Sequence, residues 1–210
     1  MPPHGGGFAG ATHSHDPEFP DDDWNLYSML DESTTALNVT KPADAVGIFK
    51  PFARRLIASP ELISDADAEV IVIARFTSPV NIRRLMVIGG GAEEGHHPSS
   101  LKCFINHEGV DFTSVESISA GQQFELPVNA EGLVELTTVL RAFTNVTTIA
   151  FYFAENHGGL DSTVLQYIGM QGDHTHYRRE AVDAQYEVLC TGADIKQPED
   201  NLGAAMPHTS

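Results

Sequence analysis

Basic residues are scarce in this sequence. Its 210 residues include 12 Lys and Arg against 29 Asp and Glu, which gives a formal charge of −17. A protein this acidic repels nucleic-acid phosphates and anionic lipid headgroups over at least a Debye length. Adjacent cations occur only at Arg54–Arg55, Arg83–Arg84 and Arg178–Arg179, which is too little for a basic stripe. We therefore expect neither nucleic acid nor a membrane surface as a partner.

Cysteine is rare as well. Cys103 and Cys190 lie far apart, so a CxxC redox motif and a cysteine-rich zinc site are both absent. Residues 1–23 lack the cationic start and apolar stretch of a signal peptide, and no apolar run approaches the length of a membrane span. We expect a soluble intracellular protein in the cytoplasm, with the nucleus as an additional compartment.

The composition is otherwise that of a chain that buries a core. Hydrophobic residues make up 41% of the sequence and charged residues 20%. Residues 1–20 are rich in Gly, His and Pro with almost nothing apolar, which predicts a disordered tail, and residues 197–210 predict a second loose tail. Between them, residues 21–196 show no linker and no repeat, so we expect one domain, as a monomer.

Short apolar runs separated by turn residues indicate an all-β protein. The segments with strand patterns are residues 70–74, 85–88, 101–105, 124–126, 133–140, 147–153, 163–169 and 186–189. Glycine, proline and asparagine predict turns between them, including one at Ser78–Pro79. Acidic residues 21–23 before the apolar residues 24–30 predict a short N-terminal helix or turn. This pattern favours an antiparallel β-sandwich or jelly roll.

Catalytic and metal-binding patterns are weak. His96–His97, and His174 with His176, place imidazoles within two positions of each other, but no zinc spacing such as HExxH occurs. Asp173 beside His174 is not accompanied by a GxSxG nucleophile motif anywhere in the chain. A metal-dependent enzyme therefore stays a minor hypothesis, and we predict no enzyme, no cofactor and no metal.

Five segments resemble motifs of the PITH domain, the C-terminal module of the proteasome-interacting thioredoxin protein. They are residues 24–28 (WNLYS), 47–52 (GIFKPF), 64–69 (SDADAE), 98–106 (PSSLKCFIN) and 167–172 (YIGMQG). They follow the family's order across nearly the whole predicted domain. Three residues depart from the pattern, because Phe52 stands where relatives have Trp, Lys102 where they have Arg, and Gln171 where they usually have Arg.

The resemblance implies a jelly-roll β-sandwich similar to galactose-binding-like domains. The likeness is greatest to proteins that consist of a PITH domain alone. It implies a non-catalytic intracellular protein-interaction module that associates with the 26S proteasome or a related large complex. Phe52 keeps an apolar side chain, whereas Gln171 removes a cation that could contact a partner.

Polar or special residues in the family-like motifs are the candidate partner contacts. They are Lys50, Pro51, Asp65, Asp67, Arg178 and Arg179. A purely structural role is an equal alternative, because aspartates often end a strand and a proline often fixes a turn. The alternative function is small-ligand or carbohydrate binding by loops at one end of the sandwich, for which fold analogy is a weak warrant. A sugar site usually needs an exposed aromatic, and the only tryptophan is Trp24.

Overall fold

The computed structural model describes residues 24–90 and 95–174. Eight strands form one hydrogen-bonded network. The strands are β1 (Thr35–Leu37), β2 (Leu62–Ile63), β3 (Val70–Gly89), β4 (Ser100–Ile105), β5 (Gln122–Glu125), β6 (Leu136–Thr137), β7 (Val146–Phe153) and β8 (Val164–His174). Short 3₁₀ helices lie at Leu26–Met29, Pro42–Asp44, Val46–Ile48, Phe52–Arg54 and Ser114–Glu116. Every strand pair is antiparallel.

Strand β3 belongs to two sheets. Its first part, Val70 to Arg75, pairs with β1 on one side and β7 on the other, and β7 continues through β4 to β5. Its second part, Val80 to Gly89, pairs with β8, which continues to β2, and it also pairs with the short β6. The register breaks between Arg75 and Val80, where the strand passes from the first sheet to the second.

The core lies between these two sheets. Val72 of the first part of β3 and Phe151 of β7 belong to the same buried cluster as Leu85 and Val87 of the second part of β3. Successive side chains of a strand point to opposite faces, so Ile71 lies outside this cluster. The inward residues of both sheets therefore form the sandwich interior.

The outer faces of both sheets are also covered. Phe104 and Tyr152 of the first sheet pack under Val110 and Val115 of the loop after β4. On the second sheet, Met86, Ile88 and Tyr167 pack under Trp24 and Phe52. Since both faces of β3, β7 and β8 are buried, these strands read as continuous apolar runs rather than alternating ones.

The all-β antiparallel fold expected from the sequence is confirmed. Ser78–Pro79 is not a turn, since β3 runs through it and only the register shifts there. The N-terminal helix is not supported beyond one 3₁₀ turn at Leu26–Met29. The expected tails, acidic residues 21–23 and the strand at 186–189 lie outside the described residues. Within the described ranges, no helix is long and apolar enough to cross a membrane.

Candidate functional site

Lys50 is a buried lysine that fixes a loop. Its side chain is only 7% exposed, and Nζ donates a hydrogen bond of 2.5 Å to the carbonyl oxygen of Ile57. Burial lowers the pKa of Lys50, and the nearby carboxylate of Glu61 opposes this shift. Pro51 directly precedes the 3₁₀ helix Phe52–Arg54, where its fixed φ suits the start of a helical turn. Both residues therefore hold the segment that follows them.

Arg55 fixes the same loop from the other side. Its guanidinium carbon lies 4.0 Å from the centre of the Phe52 ring, and Nη1 donates to the Phe52 carbonyl oxygen at 3.2 Å. The side-chain amide of Gln166 on β8 donates to the Arg55 carbonyl oxygen at 3.2 Å. The loop is thus held from both ends, yet it leaves Leu56 and Ile57 52% and 51% exposed.

A second loop, between β5 and β6, is organised by the buried Asn129. Its Nδ2 donates to the carbonyl oxygen of Val87 at 3.0 Å, and its Oδ1 accepts the main-chain N–H of Leu133 at 2.8 Å. Its own main-chain N–H donates to Nε2 of the fully buried His97 at 3.2 Å. Around this anchor Val128 is 49% exposed and Leu133 67% exposed.

The two loops touch each other. A Cβ added at Gly132 would lie 2.9 Å from Nε of Arg55 and 2.8 Å from Cδ1 of Ile88. Gly132 also has a φ of +65°, so glycine is required there both for space and for conformation. Leu56 and Leu133 directly follow the two residues in contact. We call the exposed side chains Leu56, Ile57, Val128 and Leu133 the apolar ledge.

Asp65 and Asp67 lie in a separate turn built around Asn38. Nδ2 of Asn38 donates to Oδ1 of Asp67 at 2.7 Å and to the Glu69 carbonyl oxygen at 2.6 Å, and its Oδ1 accepts the Ala66 N–H at 2.9 Å. Asn38 has a φ of +56°, a conformation that asparagine tolerates better than most residues. Asp67 therefore ties the turn together, while Asp65 is exposed beside it.

A polar groove of about 580 Å³ brings two family-like motifs together. Its lining residues are Asn25, Arg83, Arg84, Thr137, Gln171, Gly172 and Asp173. Asn25 comes from the WNLYS motif and Gln171 from the YIGMQG motif, so segments from the two ends of the domain meet here. Arg84 donates from Nε to Oε1 of Gln171 and from Nη1 to Glu135. We call this site the Arg84 groove.

The Arg84 groove and the apolar ledge share the outer face of the second sheet. Arg84, Met86 and Ile88 alternate along β3, and alternate side chains point to the same face. Met86 and Ile88 are covered by Trp24 and Phe52, whereas Arg84 is 40% exposed at one end of the row. Gly132, in the loop that carries Leu133 of the ledge, lies against Ile88 at the other end of the row. The two surfaces therefore lie on either side of the Trp24–Phe52 cover.

No histidine cluster suited to a metal ion is found in the described part of the chain. Nδ1 of His96 contacts the carbonyl oxygen of Ser162 at 2.8 Å and its hydroxyl at 3.0 Å. His97 instead faces His157, with ring centres 5.9 Å apart. Complete burial raises the pKa of the Cys103 thiol, so this cysteine is a core residue rather than a nucleophile. His176 lies outside the described residues.

Trp24, the aromatic that a sugar site would have needed, is part of the core. It is 4% exposed and stacks on Phe52, with ring centres 5.7 Å apart and the planes 12° from parallel. None of the other aromatic side chains in residues 24–90 and 95–174 is classed as exposed. Tyr27, Phe112 and Phe124 are half-buried, so within the described residues no aromatic ring is largely open to solvent.

Four of the six predicted contact residues lie within the described part of the chain, in two different loops. Lys50 and Pro51 hold a ledge loop, Asp65 and Asp67 lie in the Asn38 turn, and Arg178 and Arg179 lie outside the described residues. The four ledge residues were missed by sequence reasoning. In the sequence, the ledge residues are marked only by apolar side chains between turn residues, such as Val128 between Pro127 and Asn129. This pattern is too common to identify a binding site.

Comparison with known proteins gives matches over most of the chain. The PITH domain model matches residues 16–189. PITH domain-containing protein 1 of Homo sapiens is 30% identical over 195 residues, which cover 91% of this chain and 90% of that protein. PITH domain-containing protein ZK353.9 of Caenorhabditis elegans is 31% identical over 197 residues, which cover 91% of each chain.

A solved structure shares the fold. The CBM32-1 and CBM32-2 domains of Clostridium perfringens ZmpB match with a TM-score of 0.50 at 14% identity, over 70% of this chain and 36% of that chain. At this identity the likeness concerns the galactose-binding-like sandwich alone. The motifs that line the Arg84 groove and hold the apolar ledge lie inside the range matched by the family model. The chain therefore belongs to the PITH domain family.

Proposed function

We propose that the protein is a non-catalytic interaction module that docks onto the 26S proteasome or a related large complex. The observation that carries this proposal is the apolar ledge, in which four aliphatic side chains are about half exposed or more on two contacting loops. Exposed apolar groups collected in one place favour protein–protein contact. The acting form is a monomer in the cytoplasm, with the nucleus as an additional compartment.

The ledge is preorganised for binding. Its loops are held by buried polar anchors, Lys50 on one loop and Asn129 on the other, so little conformational entropy is lost when a partner covers it. Complete burial of a fully exposed leucine contributes roughly 1.5–3 kcal/mol, so the partly exposed Leu56 and Leu133 each gain about half to two thirds of this. The acidic chain favours a basic partner surface and makes association sensitive to salt.

The test is affinity capture from lysate at low salt followed by mass spectrometry. We expect wild type to enrich proteasome subunits and the double variant L56D/L133D to lose most of that enrichment. The matched control is V139D/L140D, because these side chains are 55% and 58% exposed in the loop that bonds Ile82, at the opposite end of the second part of β3. The control introduces the same charge, and we expect it to retain capture.

Two results would overturn the proposal. One is the absence of proteasome enrichment over an unrelated bait of equal charge. The other is equal loss in the ledge and control variants, because this would indicate a general effect of added negative charge. Carbohydrate binding has only the likeness of fold in its favour, and nothing in the described surface supports it further.

A further inference from the structure

The Arg84 groove is distinct from the apolar ledge in its chemistry. Its lining is polar, and two adjacent guanidinium groups extend into it from β3. Arg83 pairs with Asp173 at 2.6 Å, but the two side chains remain 63% and 60% exposed. An exposed ion pair of this kind contributes little to stability, so it leaves the arginine available to a ligand.

The two guanidinium groups have unused donors. A guanidinium group carries five N–H donors. Within the described residues, Arg83 bonds only through Nη2, and Arg84 bonds through Nε and Nη1. The Nε and Nη1 groups of Arg83 and the Nη2 group of Arg84 thus have no acceptor among residues 24–90 and 95–174. Two neighbouring cations with open donor edges favour a carboxylate, which binds guanidinium groups through two oxygens.

The groove also contains an acceptor that lacks a donor. Oδ1 of Asn25 is buried and has no hydrogen-bond partner among the described residues. Burial of an unpaired acceptor is unfavourable. A ligand N–H that bonds Oδ1 after the Asn25 side chain turns into the groove removes this cost. The groove therefore fits a ligand that carries a carboxylate and an N–H group close together.

We propose that the Arg84 groove binds an acidic peptide segment of the partner protein. The carboxylate of an Asp or Glu side chain bonds the open edges of Arg83 and Arg84, and a neighbouring main-chain N–H donates to Oδ1 of Asn25. Asp173 and Glu135 neutralise the two arginines overall, so recognition depends on the geometry of the donors rather than on net charge. This inference rests on the proposed function only for the existence of a protein partner.

The test is an NMR titration of the full ¹⁵N-labelled chain with a capped hexapeptide of alternating Gly and Asp. We expect saturable shifts centred on the Asn25 side-chain amide and the Gly172 main-chain amide. The same peptide with Asn in place of Asp produces no such shifts, and a Lys version binds at least tenfold more weakly. The readout does not involve the proteasome, so its outcome is independent of the capture experiment.

Variants connect the signal to the groove. Arg83→Gln keeps the fold, because this side chain lies at the surface, and we expect it to weaken peptide binding at least tenfold. Arg54→Gln removes one exposed positive charge near the ledge and serves as the matched control, with an expected change below twofold. Equal weakening by both variants, or equal binding of the Asn peptide, overturns the proposal. So does an NOE in the free protein between the Asn25 side chain and residues 175–210, because the chain then fills its own groove.

Discussion

At the residue scale, buried and half-buried polar side chains in this domain act as anchors for loops. Lys50 holds the loop that carries Leu56, Asn129 holds the loop that carries Leu133, and Asn38 holds the turn of Asp67. Each of them satisfies main-chain groups that a loop would otherwise leave unpaired. The residues that shape the ledge are therefore different from the residues that form its exposed surface.

Protonation of His97 affects one of these anchors, Asn129, and makes the stability of the protein depend on pH. His97 is fully buried, its Nε2 accepts the main-chain N–H of Asn129, and its ring centre lies 5.9 Å from that of His157, with the planes tilted by 43°. Burial lowers the pKa of His97, and the charge of His157 acts in the same direction. The unfolded chain, with a histidine pKa near 6.5, then binds more protons than the folded chain below about pH 7.

We predict that the contribution of His97 to the free energy of unfolding is fully present above about pH 7. It is lost as the pH drops through about 6.5 towards the lower pKa of folded His97. Removal of the His97 imidazole reduces the slope of the unfolding free energy against pH by at most about 1.4 kcal/mol per pH unit. The measurement is urea denaturation between pH 5.5 and 7.5 for wild type, His97→Gln and, as a control, the exposed His107→Gln. An unchanged slope in His97→Gln contradicts the prediction.

At the element scale, the long strand β3 determines how the sandwich is assembled. One strand supplies partners to both sheets, so the pairings with β7 and with β8 depend on each other. The shift of register near Pro79 lets the strand bend, and a proline without an N–H is tolerated where ladder bonds are interrupted. The sequence reads as two strands because the bend contains turn residues.

A substitution at Gly172 tests the close pairing of β8 with the second part of β3. A Cβ added there would lie 1.9 Å from the main-chain oxygen of Asn81, and a main-chain atom within a sheet cannot move aside. We predict that Gly172→Ala lowers the free energy of unfolding by about 1–3 kcal/mol. Gly121→Ala is the control, because its nearest contact is the flexible side chain of Ile105 at 3.1 Å.

Urea denaturation measures both glycine variants. The control is expected to stay within about 0.5 kcal/mol of wild type, as for other surface changes. Equal stability of Gly172→Ala and Gly121→Ala would contradict the prediction, because it would mean that β8 and β3 leave room for a Cβ at Gly172.

At the scale of the whole molecule, the N-terminal segment completes the functional face. Trp24 and Phe52 cover Met86, Ile88 and Tyr167, which would otherwise form an exposed apolar area on the second sheet. Asn25 follows directly and lines the Arg84 groove, while Phe52 begins the loop of the apolar ledge. The cover therefore positions both proposed contact surfaces.

Trp24→Ala is predicted to lower stability by about 3–5 kcal/mol, because it opens a cavity in this cover. Trp24→Phe retains a ring to stack on Phe52 and is expected to cost less. Trp24 is the only tryptophan, so its fluorescence reports on the cover directly, with emission typical of a buried indole that shifts to the red on unfolding. Leu133→Ala, at an exposed position, serves as the stability control. Emission typical of an exposed indole in the native protein contradicts this description.

The β-sandwich could be predicted from the sequence, because runs of β-branched residues between turns are local features. The segment around residues 147–153 was found as β7 for this reason. Strands β1 and β2 were missed because two or three residues carry no periodicity. The family-like motifs identified the family, whereas the contact role of the side chains chosen from them stays a prediction.

The positions of the longer apolar strands, the acidic character and the family membership thus follow from the chain itself, since each depends on residue types or on neighbours within a few positions. The apolar ledge and the Arg84 groove depend on contacts between distant segments. The loops that carry Leu56 and Leu133 meet where Gly132 leaves room for Arg55. Asn25 and Gln171 line one groove because the N-terminal segment packs on β8. Such contacts depend on the path of the whole backbone, so only the tertiary structure decides which side chains meet.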